Sequence, residues 1–188
     1  LNLAKEYRFA IIEDDYDYDF HYDNKPYLPL ASIDHNQSVI YLGSVTKTFA
    51  PALRIGFMLG PPKFVDAAAA LRELIDKQGD TVMEEAFAVM YNNGEMDRYS
   101  RKSLKIYRQR RDQFCEILRT DFKKEIIFDV PEGGLAVWAR FHPKIDLVKM
   151  SREAAKKGLN IDDGIFYRNE SFSVNGLRMG FASLDEKE

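Results

Sequence analysis

The 188-residue sequence has one cysteine, Cys115, three histidines and one tryptophan. A single thiol cannot form an internal disulfide, so no framework of bridges holds the fold, and such usage suits a reducing compartment. His21, His35 and His142 are scattered, with none of the spacings by which ligands grip zinc, and no metal is expected. A net charge of −3 supplies no global field toward nucleic acid or an anionic bilayer. No apolar run approaches the ~20 residues that span a membrane, and there are no repeats or low-complexity segments. What is present is apolar residues at 45% and aromatics at 13%, which excludes disorder and suffices for a real core. The expectation is a soluble cytoplasmic protein, one domain or two small ones, with no membrane partner.

Three short apolar runs read as strands: residues 9–15 (FAIIEDD), 38–44 (SVIYLGS) and 54–60 (RIGFMLG), the last closed by Gly60-Pro61-Pro62 as a turn or helix start. Runs that are apolar throughout fit buried parallel strands. Two of these end in polar clusters, where open α/β sheets place ligands. Helical periodicity follows over residues 63–77, with Phe64, Ala67, Ala68, Leu71, Leu74 and Ile75 on one face. A second helix spans about 81–91, ended by Asn92-Asn93-Gly94. A long third spans about 95–122, with Tyr99, Leu104, Tyr107, Phe114, Ile117 and Leu118 on its stripe. From Glu125 the texture changes to strands (EIIFDV, LAVWARF, GLRMGFA) around a helix near 147–157, a second α+β unit. The boundary is placed near Tyr99, giving domains 1–98 and 99–188.

The acidic stretch EDDYDYDFHYD (13–23) opens like a calcium loop at Asp15, Asp17 and Asp19. It then has Phe20 where glycine is needed and Pro26 where the bidentate glutamate belongs, so calcium is rejected. Asp17, Asp19 and Asp23 read as a solvated loop, whereas Glu13, Asp14 and Asp15 stand where a buried strand ends. The stretch GSVTKT puts Thr46, not glycine, before Lys47, which removes a nucleoside-triphosphate loop. Lys47 nonetheless sits among Ser44, Thr46, Thr48 and Arg54, all hydroxyl or guanidinium donors suited to a phosphate. Parallel neighbouring strands would bring the carboxylate and phenol of Asp14 and Tyr16 into one crevice with Lys47, Ser44 and Arg54. Pyridoxal 5′-phosphate has a ring nitrogen, a phenolic oxygen, an aldehyde and a phosphate to use them all. The basic residues Arg98, Arg101, Lys102, Lys105, Arg108, Arg110 and Arg111 read as the solvated face of an amphipathic helix rather than a DNA contact. Gly133-Gly134 reads as a turn and Trp138 as core.

The segments IIEDDYDYDFHYD, PLASID and VIYLGSVTKTFAPALRIGFMLGP resemble the fold-type I, class I/II aminotransferases. More narrowly, the chain is similar to the aminotransferase-like domain of MocR-type regulators of the GntR family. The Lys47–Arg54–Gly56 spacing points to the superfamily, and the Asp14-Asp15-Tyr16 run to the regulator branch. NGLRMGFA matches the family's carboxylate-binding segment. The resemblance implies an α/β fold, the C-terminal portion of a pyridoxal-phosphate-dependent transferase: part of the large-domain sheet plus a smaller α+β domain. It implies that Lys47 forms the internal aldimine, Asp14 binds the pyridine nitrogen and Tyr16 the phenolic oxygen. Ser44 and Arg54 would hold the phosphate, and Arg178 the substrate α-carboxylate. It further implies a homodimer that senses an amino acid or other small amino compound, reaching DNA only through a separate N-terminal winged helix. The alternative is a free-standing aminotransferase acting between an amino acid and a 2-oxo acid; a module that kept the fold and lost the chemistry ranks last. The family's glycine-rich phosphate turn, ring-stacking aromatic and asparagine would precede residue 9. The chain is therefore expected to be a C-terminal fragment, inactive and a poor cofactor binder by itself.

Overall fold

Apolar residues at 11, 12, 39–42 and 57–59 build the first sheet of the computed structural model, which describes residues 1–22, 27–45, 49, 53–168 and 174–183. The chain divides into two units, residues 1–104 and 105–188. The first contains α1 (Asn2–Tyr7), β1 (Ile11–Asp15), β2 (Val39–Ser44), β3 (Gly56–Leu59), α2 (Pro62–Ile75), α3 (Thr81–Asn92) and the start of α4 (Glu95–Asp121). The second contains the rest of α4 with β4 (Ile126–Phe128), β5 (Ala136–Phe141), α5 (Leu147–Lys156) and β6 (Gly176–Gly180).

In the first unit the order is β1-β2-β3, with β1 parallel and β3 antiparallel to β2. Parallel neighbours need a crossover, and two carboxylates fasten this one. Glu13, on β1, accepts hydrogen bonds from the backbone N–H of Leu30 (2.7 Å) and Ala31 (3.0 Å), at the start of a 3₁₀ turn over Leu30–Ile33. Asp34 accepts from the N–H groups of Asn36, Ser38 and Val39 and from the Ser38 hydroxyl, setting the entry to β2. Desolvation pushes the Asp34 carboxyl up, but these bonds outweigh it and hold it below its usual range. The central strand is the most buried, through Val39, Ile40 and Tyr41, and Phe20 and Tyr22 from the crossover join its core. Pro62 opens α2, and the Asp80 side chain caps α3 by accepting from the Met83 N–H at 3.1 Å. The apolar stripe of α2 forms the expected helix, yet Leu71, Leu74 and Ile75 are exposed. Amphipathic spacing dictates the helix without dictating what covers it.

The second unit is an antiparallel sheet in the order β4-β5-β6. Strand alternation assigns its faces. Ile126, Val137, Ala139, Phe141 and Leu177 point inward and are buried with Cys115 and Leu118 of α4, Leu147 of α5, and Phe181. Burial raises the Cys115 thiol above its ordinary value. Arg111 departs from the solvated face expected of its helix: it is buried, pairs with Asp112 at 2.7 Å and donates to the Pro131 carbonyl at 2.9 Å. The long side chain anchors the loop leading to β5, and a half-buried backbone acceptor gains a charged donor.

Candidate functional site

Strand alternation separates the three acids at the end of β1. Glu13 and Asp15 share a face with Val39, Tyr41, Phe57 and Leu59; Asp14 shares the opposite face with Leu42 and Ser44. On the first face the acids are structural. Glu13 holds the crossover as described, and Asp15 accepts from the Tyr41 hydroxyl at 3.2 Å. Burial raises the Asp15 carboxyl despite that bond. Tyr41 is pushed up to about 12, first by burial and then by the Asp15 charge. Neither the Asp15–Tyr41 pair nor the Glu13 clamp was legible in the sequence, because both join residues of different elements. A cavity of about 610 Å³ opens on this same face, lined by Tyr18, Pro29, Tyr41, Phe57, Leu59 and Pro61 among others. It lies on the opposite side of the sheet from Asp14 and Ser44, so it is not where those residues act.

The Asp14 face carries the residues singled out in the sequence. Asp14 is exposed, and its carboxylate makes no hydrogen bond or ion pair with a described residue. It pairs with Leu42, and two residues along β2 on the same face stands Ser44. Tyr16 follows the end of β1 and is 39% exposed. The Val45 N–H donates to the Ile55 carbonyl at 3.2 Å, which brings Arg54 to the same end of the sheet as Ser44. Arg54 is exposed, with a left-handed backbone at φ 51, a conformation that costs an L-residue about 1 kcal/mol. Asp14, Tyr16, Ser44 and Arg54 thus gather at the carboxyl ends of two parallel strands, the usual ligand edge of an open α/β sheet. Lys47 lies outside the described residues.

These groups fit pyridoxal phosphate: a carboxylate with no ion-pair partner among the described residues for a pyridinium nitrogen, a phenol beside it, and a hydroxyl with a guanidinium for the phosphate. Among the described residues no cluster of histidine, cysteine and carboxylates could hold a metal ion. No helix of the described residues is long and apolar enough to cross a membrane.

Arg178 lies in the second unit, on β6, exposed and directly opposite Trp138 of β5. Trp138, expected in the core, is not buried. It is 41% exposed on the outer face of the sheet, in edge contact with Tyr167 at 4.9 Å between ring centroids. The alternation of Val137, Ala139 and Phe141 with Trp138 and Arg140 was the available signal: the indole belongs with the arginine's face.

The family model for aminotransferase class I and II matches residues 1–188. The chain is 28% identical to an uncharacterized HTH-type transcriptional regulator, YdfD, of Bacillus subtilis, over 99% of this chain and 39% of that protein. It is 25% identical to the probable rhizopine catabolism regulatory protein MocR of Rhizobium meliloti, over 100% of this chain and 38% of that one. Among solved structures, the kynurenine aminotransferase of Pyrococcus horikoshii superposes with a TM-score of 0.89 at 28% identity, covering 99% of this chain and 46% of that one. The chain therefore spans less than half the length of these relatives. Its fold is that of the α/β pyridoxal-phosphate-dependent transferases.

Proposed function

The chain belongs to the class I and II aminotransferase family, and from that premise we propose that it is the aminotransferase-like effector domain of a MocR-type transcriptional regulator. One observation carries the reading: Asp14 and Ser44 stand on one sheet face at the ends of adjacent parallel strands, with Arg54 beside Ser44. Asp14 would hold the pyridine nitrogen protonated, Tyr16 the phenolic oxygen, and Ser44 with Arg54 the phosphate. Lys47, three residues beyond Ser44, would carry the aldehyde carbon. Bound there, pyridoxal phosphate supplies an aldehyde for an incoming amine and a ring that accepts electrons. Arg178 would take the carboxylate of an amino acid through a bidentate pair.

In this reading residues 1–98 are the C-terminal part of the cofactor domain and residues 99–188 the small domain. The working protein is a cytoplasmic homodimer whose affinity for DNA, through a separate winged helix, is reset when an amino compound binds. Relatives named as regulators support it, with sequence matches across nearly all of this chain. The second reading is a free-standing aminotransferase, favoured by the close superposition on the Pyrococcus enzyme. The test is carried out on the full-length natural protein loaded with cofactor. DNA binding that shifts with an amino compound, without turnover of a 2-oxo acid, supports the regulator. Steady turnover with no DNA binding supports the enzyme. A cofactor that is not retained refutes both.

A further inference from the structure

We propose that the outer face of the second sheet selects amino compounds with a flat apolar side chain, placing the carboxylate on Arg178 and the side chain against Trp138 and Tyr167. The proposal rests on the reading of Arg178 as the carboxylate-binding residue and adds the substrate class. Trp138 and Arg178 are directly opposed across β5 and β6, which sets their Cβ atoms about 4.5–5.5 Å apart on one face. The indole is held in place from two sides. Beneath it lies Gly176, where an added Cβ would come within 2.8 Å of the indole Cζ2. Against it stands the Tyr167 ring, at an interplanar angle of 75°. A ring so fixed, and still 41% exposed, offers a flat apolar surface that needs no ordering when a ligand arrives.

A second cation, Arg140, shares this face, and a dicarboxylate that used both arginines is the competing ligand. Register argues against it. Arg140 is opposed to Gly176 on one side and to Ile127 on the other, and the indole lies over Gly176. A side chain growing from a carboxylate held by Arg178 meets the indole before it reaches Arg140. Neither Arg140 nor Arg178 makes an ion pair with a described residue, so no described carboxylate competes with a ligand for either charge.

The test is calorimetric titration of the full-length protein, with cofactor retention read beforehand from its absorbance, using L-phenylalanine, L-alanine and L-aspartate. Phenylalanine is expected to bind about tenfold tighter than either competitor. Arg178→Gln should weaken all three together. Tyr167→Ala should bring phenylalanine down to the affinity of alanine, erasing the preference, and Trp138→Leu should do the same where it folds. Aspartate binding as tightly as phenylalanine, with Arg140→Gln removing that affinity, would overturn the proposal. So would a preference that survives both aromatic substitutions. A protein that retains no cofactor refutes the functional reading alone. The same titration on that protein still decides this proposal, by whether phenylalanine is preferred through Arg178 and Tyr167.

Discussion

Replacing Gly176 by alanine perturbs the second sheet at one defined contact. The added Cβ would stand 2.8 Å from the indole Cζ2 of Trp138, 3.1 Å from the Ala139 carbonyl oxygen and 3.2 Å from Cγ1 of Val174. Carbon atoms in ordinary contact are about 3.5–4.0 Å apart, so the indole must retreat by roughly 0.7–1.2 Å, or the strands must part. The carbonyl belongs to the central strand β5 and has little freedom to yield. Overpacking of this kind costs about 1–3 kcal/mol, a fall in melting temperature of roughly 2–12 °C for a chain of this length. Retreat also separates the indole from Tyr167 and wets it, so the emission of the only tryptophan in the sequence shifts to the red. Gly180→Ala is the control on the same strand. Its Cβ would approach nothing nearer than the Leu135 carbonyl oxygen at 3.9 Å. It should stabilise by about 0.4–1 kcal/mol through the unfolded chain, with unchanged emission. If the two variants melt alike and emit alike, the packing of Trp138 on Gly176 is wrong, and with it the fixed platform on which ligand selection depends.

Other consequences concern the first unit. Glu13→Ala removes the acceptor of the Leu30 and Ala31 N–H groups and should cost about 2 kcal/mol in urea unfolding, with Glu13→Gln losing about half of that; equal stability of all three proteins would remove the clamp. In the fold Tyr41 keeps its proton up to about 12, against 10.0 for the free side chain. Its contribution is therefore complete below pH 10 and is lost as pH rises toward 12. Tyr41→Phe should flatten that alkaline decline in chemical denaturation, and an unaltered decline would place its cause elsewhere. Arg54→Gly relieves the left-handed backbone at φ 51 but loosens the unfolded chain. The net change in stability should stay within about 1 kcal/mol, while affinity for pyridoxal phosphate in equilibrium dialysis drops at least tenfold. Undiminished affinity would take Arg54 out of the phosphate site.

The strands were legible because their signal is local. The run VIYL in β2 is apolar on both faces, as a central strand must be, and the acids at the end of β1 mark the edge where Asp14 now stands beside Ser44. The reading of β1 and β2 as parallel neighbours matches the register observed. Their partner β3 was recognised as a strand but not as a hairpin return. Its direction is set by antiparallel pairing with β2, which apolar content does not encode. The size and hydrophobicity of Trp138 point to the core, but period-two alternation puts it on the face with Arg140. The exposed stripe of α2 and the burial of Arg111 share a cause. Both depend on which surface arrives from elsewhere in the chain, and no pattern within one helix specifies that. The division into units at residue 104 likewise falls inside α4, where an unbroken helical period hides any change of neighbours.

In the proposed function Lys47 would carry an aldehyde cofactor held by Asp14 and its companions. The most direct measurement is borohydride reduction of the full-length protein after incubation with pyridoxal phosphate, followed by mass analysis of its peptides. One added phosphopyridoxyl group is expected on the peptide containing Lys47. That group should be lost in Lys47→Ala and much reduced at limiting cofactor in Asp14→Asn. A label spread over surface lysines, or one that persists on another residue when Lys47 is replaced, would contradict it.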